Sequence, residues 1–131
     1  MLFRSSATNN FTRGTCQHVA LPNTPIGAAV PSKLKIIATG KVSRFYCIDL
    51  PPGASATMRV NPMLAGDDWD LFVTDEFSAT QSSQLGHGLY DLIDQPAGTG
   101  LNGQGQTFTI EVRPFSFSSA LGIFTLDFDR Y

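Results

Sequence analysis

The stretch AGDDWDLFV, residues 65–73, places Asp67, Asp68 and Asp70 around Trp69, the single tryptophan of the chain, and then runs into apolar residues. Three carboxylates so spaced can ligate a cation, act as an acid–base pair, or hold a turn by accepting backbone hydrogen bonds. Asp68 and Asp70 are two apart on an alternating segment, so both side chains leave one face, roughly 6–7 Å apart at Cα. Calcium takes about six to eight oxygens. The three acids would supply part of that set, with Asp91, Asp94, Asp127 or Asp129 joining from elsewhere. The loops that would complete a cage carry no Asp-x-Asn/Asp-x pattern, which favours a structural clamp and leaves calcium as the alternative. Glycosidase chemistry needs two carboxylates facing each other across a cleft, and the spacing sets up no such pair.

Other reactive residues carry weaker patterns. Cys16 and Cys47 are the only cysteines; they read as two buried thiols or as a disulfide, and the sequence does not decide between them. With His18 and His87 they lack any zinc-ligand spacing. The serines sit in no G-x-S-x-G elbow. The Gly-rich GTGLNGQG precedes a strand, where a phosphate loop would precede a helix. Asn10-Phe11-Thr12 fits the short N-glycosylation pattern, which matters only in a secretory pathway. Phe115 and Phe117, in RPFSFSS, read as loop aromatics that either contact a partner or fold down to plug the end of the domain.

The elements that must hold these residues are strands. Apolar and polar residues alternate with period two through KLKIIAT (33–39), SRFYCIDL (43–50), SATMRVN (55–61), DWDLFVT (68–74), LYDLI (89–93), QTFTIEV (106–112) and GIFTLDF (122–128). QHVAL (17–21) is a possible further strand. Between them lie PPG at 51–53, a turn, and two longer loops at 75–88 and 113–122. Trp69, Leu71 and Val73 face inward on one strand, as do Phe108, Ile110 and Val112 on another. Such spacing predicts an all-β chain, an antiparallel sandwich or jelly roll of about seven to eight strands. Residues 1–32 read as an N-terminal arm and Pro-rich linker, and 33–131 as the sandwich domain.

At 131 residues the chain makes one domain, enough to bury about two-thirds of its unfolded surface. Hydrophobic residues reach 42% and charged residues only 15%, which marks a globular chain. With a net charge of −2 and no basic run, nucleic acid is an unfavoured ligand. Apolar runs are interrupted well short of a membrane span. The opening MLFRSSATNNFTRGT lacks the apolar core of a secretory signal.

Four pieces in order carry a family resemblance: LPPG at 50–53, GDDWDLFV at 66–73, TFTIEV at 107–112 and FTLDF at 124–128. Over roughly residues 36 to 129 the chain resembles the bacterial pre-peptidase C-terminal domain. That resemblance implies a small non-catalytic β-sandwich, appended in relatives to secreted peptidases, binding matrix proteins or glycans in some and carrying calcium in others. The chain is expected to act without an attached peptidase, and it departs from the pattern in the arm before the domain and in the extra residue of Gly-Asp-Asp-Trp-Asp.

The expectation for function is a non-enzymatic module acting as a subunit of a homo- or hetero-oligomeric assembly, with a virion surface or decoration protein in the lead. Phe3, Phe11 and Tyr131 would be the aromatic anchors of its arms, and Trp69, Phe115 and Phe117 its binding residues. The alternative is an extracellular adhesion module for glycan or matrix protein, with calcium assistance at Asp67, Asp68 and Asp70.

Overall fold

The structure, a computed structural model, describes residues 13–20, 32–64, 66–84, 91–96, 98, 105–117 and 122–131. Among them a short 3-10 turn (Arg13–Thr15) precedes nine strands: β1 (Gln17–Val19), β2 (Ser32–Thr39), β3 (Arg44–Leu50), β4 (Ala56–Pro62), β5 (Asp68–Asp75), β6 (Thr80–Ser83), β7 (Asp91–Gln95), β8 (Gln106–Ser116) and β9 (Ile123–Arg130). They form a five-stranded sheet in the order β1-β3-β8-β5-β6 and a four-stranded sheet in the order β2-β9-β4-β7. With the three-residue β1 set aside, the two orders are those of a jelly roll, and the all-β sandwich expected from the alternation is the architecture observed.

The period-two pattern explains the packing. Tyr46, Ile48 and Leu50 of β3, Phe108, Ile110 and Val112 of β8, and Trp69, Leu71 and Val73 of β5 turn inward from one sheet. Met58 and Val60 of β4 and Phe124, Leu126 and Phe128 of β9 meet them from the other, and all are buried. Each such side chain contributes about 1.5–3 kcal/mol relative to exposure, so a one-residue slip of any strand would forfeit several of them together. The PPG turn works as read: Gly53 has φ +83°, and the N–H of Ala54 donates to the Pro51 carbonyl at 3.1 Å. Gly105 serves a close approach, since a Cβ there would collide with the Leu50 carbonyl.

Two expectations need correction, and one open alternative is decided. Thr80–Ser83, placed in a loop, is the edge strand β6, because Asp75 accepts the N–H groups of Phe77 and Ala79, both at 2.9 Å, and so turns the chain back onto β5. Strand β8 continues through Ser116, so Phe115 is a strand residue rather than a loop residue. Of the two alternatives left open for Cys16 and Cys47, the disulfide is the one observed, with Cα atoms 5.6 Å apart. That bond fastens β1, which falls within the span read as the arm, in parallel against β3. Phe3, Phe11, Asn10, His87 and the Pro-rich stretch 21–31 lie outside the described residues.

Candidate functional site

The acidic stretch opens β5, and its neighbour β8 determines what surrounds it. Register along the pair runs Phe72 opposite Glu111, Asp70 opposite Arg113 and Trp69 opposite Pro114, then breaks, with Asp68 opposite Ser116. Phe115 is therefore the extra residue of a β-bulge, which bends the strand and re-aims the side chains beside it. Phe115 is 70% exposed. Phe117, just past the strand, folds the other way: its ring meets the Trp69 indole edge-on at 4.9 Å between centroids, and Lys41 Nζ lies 5.2 Å from its centroid. The two phenylalanines expected to act together are divided between a surface role and a plugging role.

Trp69, expected among the binding residues, is 0% exposed. It lies on the inward face of β5, packed edge-on against Phe124 at 4.7 Å as well as Phe117, and is a core residue. Its Nε1 is buried without a hydrogen-bond partner. Tyr131 is half-exposed, and its backbone pairs with Ser55, donating at 2.9 Å and accepting at 3.2 Å.

The aspartates are nearly shut off from solvent: Asp67 is 0%, Asp68 4% and Asp70 5% exposed. The N–H of Asp67 donates to the Leu64 carbonyl at 3.0 Å, closing the turn before β5. Asp68 and Asp70 leave β5 on its outward face, and Asp68 Oδ1 is buried with no hydrogen-bond partner. The Asp70 carboxyl is held above its ordinary value of 3.8, first by burial and then by the charge of Asp68, while Arg113 pulls the other way. Among the described residues, the set of side chains close enough to share an ion is Cys16, His18 and Cys47, within 4.8 Å of one another, and the disulfide occupies both sulfurs. The three aspartates do not form such a set.

Arg113 is where the cross-strand neighbours of the acids converge. Its Nε donates to Glu111 Oε2 and its second terminal nitrogen to Glu111 Oε1, both at 2.9 Å, a bidentate pair. Ser43 Oγ donates to the same Glu111 Oε2 at 2.9 Å. The guanidinium lies 3.8 Å from the centroid of the Phe72 ring, so it is held flat while its side chain stays about half exposed. Sequence reading missed this arrangement. The signal, Glu-x-Arg on a strand, is common, and it gains meaning only once the register sets Phe72 across from Glu111.

A second polar feature occupies the outer face of the four-stranded sheet. A groove of about 290 Å³ is lined by Lys33, Leu34, Lys35, Arg59, Asp127 and Asp129. Asp127 and Asp129 rise from the interior strand β9, flanked in register by Lys35 and Lys33 of β2 and by Arg59 and Thr57 of β4.

Compared as a sequence, the chain matches no family model and no curated protein. Compared as a structure, it is similar to the pre-peptidase C-terminal domain of a collagenase from Bacillus anthracis, with a TM-score of 0.49 and 13% identity over 82% of this chain and 99% of that one. It is also similar to PliG of Aeromonas hydrophila, a periplasmic inhibitor of g-type lysozyme, with a TM-score of 0.46 and 15% identity over 88% and 98%. A third, TmCBM61 in complex with β-1,4-galactotriose, aligns with a TM-score of 0.40 and 12% identity over 77% and 69%. At these identities the likeness is one of fold, and the β-sandwich expected from the pre-peptidase C-terminal resemblance is the architecture observed.

Proposed function

We propose that the chain is a non-enzymatic binding module that works as a subunit of a larger homo- or hetero-oligomeric assembly, such as the surface of a virion. The observation that carries this reading is Phe115, a large apolar side chain 70% exposed at a bulge, two residues from a guanidinium fixed on Phe72. Aromatic and Arg side chains held rigid at a surface lose little freedom on contact, and they supply most of the energy at protein interfaces. The test is sedimentation of the intact chain beside Phe115→Ser. Assembly by the first and its loss in the second sustain the reading; two monomers sink it.

The disulfide is consistent with a second reading as well, an extracellular adhesion module for glycan or matrix protein. Bonds such as Cys16–Cys47 form and persist in oxidising settings, secreted and cell-surface proteins among them, and are rare in the cytosol. For the acidic turn we favour the structural clamp, with Asp67 closing the turn and Asp68 and Asp70 placed behind it. Calcium would fit the uncompensated Asp68 Oδ1 but not a shared coordination point of all three aspartates.

A further inference from the structure

We infer that Cys16, His18 and Cys47 form a zinc site in the reduced chain, one that gives way to the disulfide when the two thiols are oxidised. The inference does not rest on the assembly reading, which is carried by Phe115.

The three side chains share the outer face of the five-stranded sheet. Tyr46, Ile48 and Leu50 of β3 turn into the core, so Cys47 among them turns out. On β1, Val19 packs against the core, which sends His18, and Cys16 just before the strand, to the same outer side. Parallel register sets His18 directly beside Cys47. Both sulfurs and a ring nitrogen of His18 lie within 4.8 Å of one another. The sulfur bond accounts for two of these donors and does not require the third; the imidazole is brought in by the register. His18 is exposed, and β1 is the edge of its sheet among the described residues, so the ring has room to turn and ions reach it from solvent.

Zinc holds thiolate sulfur at about 2.3 Å and imidazole nitrogen at about 2.0–2.1 Å, which spaces the ligands roughly 3.5–3.8 Å apart on a tetrahedron. Once the S–S bond is open, the sulfurs separate to that distance and the imidazole closes in by roughly 1 Å. Side-chain rotation supplies both movements, with the Cα atoms of the cysteines left 5.6 Å apart. The donor set chooses the metal. Two thiolates and an imidazole suit zinc, whereas calcium and magnesium take oxygen ligands, and no carboxylate belongs to the set. The fourth position is left to water. Cys-x-His by itself has no zinc-ligand spacing; the third ligand comes from β3, so the set is complete only across the strand pair. The bond and the metal exclude each other. A small-molecule disulfide takes two electrons from the bound thiolates and leaves as two thiolates of its own, while the S–S bond forms and zinc departs as the divalent ion. Strand β1 is thus fastened to β3 in either state, by the metal before oxidation and by the covalent bond after it.

The experiment starts from the intact chain reduced with a water-soluble phosphine. The phosphine breaks the S–S bond and leaves as its oxide, with the oxygen and the two thiol protons drawn from water. Cobalt(II), a spectroscopic stand-in for zinc, is titrated in and then displaced by zinc. The expected result is one ion per chain, a thiolate-to-cobalt absorption that zinc abolishes, and amide exchange in β1 as slow with zinc as in the oxidised chain. The oxidised chain should bind neither ion through these residues. His18→Ala removes an exposed side chain, so the fold persists, and it should weaken zinc binding at least tenfold, since even groups outside the ligand shell are worth that much. Cys47→Ser should abolish the absorption. Cobalt bound without thiolate absorption, one ion shared by two chains, equal affinity in His18→Ala, or equal binding by the oxidised chain overturns the site. So does a reduced chain whose β1 amides still exchange faster with zinc than those of the oxidised chain.

Discussion

Phe117 packs edge-on against Trp69 at 4.9 Å between ring centroids, while Phe115, two residues earlier, points into solvent. The bulge at Phe115 turns one aromatic pair into two opposite roles. Phe117→Ala should therefore cost about 2 kcal/mol, below the full range for a buried phenylalanine because the ring is only partly covered. Phe115→Ser should change stability by less than about 0.5 kcal/mol. Urea unfolding of the two variants separates them, and equal losses would mean that both rings belong to the core.

Reduction of Cys16–Cys47 opens a loop with a sequence separation of 31. Loop-closure entropy puts the loss near 3.5 kcal/mol. The double variant Cys16→Ser, Cys47→Ser should show that loss in denaturant midpoint, and β1 amides should exchange faster than those of β8. Unaltered exchange in β1 would show that its three parallel pairings hold without the covalent tie.

Asp70 ties stability to pH with a definite sign. Its carboxyl is raised in the folded state above 3.8, so the fold binds that proton more tightly than the unfolded chain does. Its contribution to stability rises as pH falls through the folded value and is complete below 3.8. Asp70→Asn should be more stable than the parent at neutral pH, with the advantage shrinking on acidification. A variant less stable at neutral pH would mean that the charge itself is held by a favourable partner.

Under the clamp reading, chelation with EDTA leaves the melting temperature in place. A calcium site worth about 1 kcal/mol would instead shift it by roughly 3–4 °C in a chain of this size. Scans with chelator and with added calcium decide the matter, and a shift abolished by Asp68→Asn would assign the metal to the acidic turn.

Arg113→Lys should not substitute for the native residue. A lysine cannot give both hydrogen bonds to Glu111 or lie flat on Phe72, and Glu111 is only 7% exposed. The loss should be about 1 kcal/mol, moderated because Arg113 itself is half in solvent. Glu111→Gln in the same background should recover part of it, and a double-mutant cycle reads the coupling.

The strands were legible because burial imposes a period of two. Met58, Leu71, Ile110 and Leu126 all face inward where alternation places them. Trp69, which alternation turns inward although it stands among three acids, is buried in the core. The exposure of Phe115 was out of reach, because a bulge depends on the register of β8 against β5 and not on either strand alone. The charged groove was equally hidden: Lys35, Arg59 and Asp127 are dispersed along the chain and meet only through the order of the sheet. The disulfide needed the same knowledge, since β1 lies beside β3 by a pairing that no local signal announces.

The order β2-β9-β4-β7 has a consequence for how the molecule is made. One of the two interior members of that sheet, β9, is the last of the nine described strands in sequence, and β2 and β4 have no common neighbour until it arrives. A nascent chain lacking residues 123–130 therefore holds two long strands with open edges and an unroofed apolar layer, a state prone to aggregation. Folding must wait for the end of β9, through contacts distant in sequence, and is correspondingly slow. Loss of even the last half of that strand should leave no partial sandwich behind, so the chain is assembled all at once or not at all.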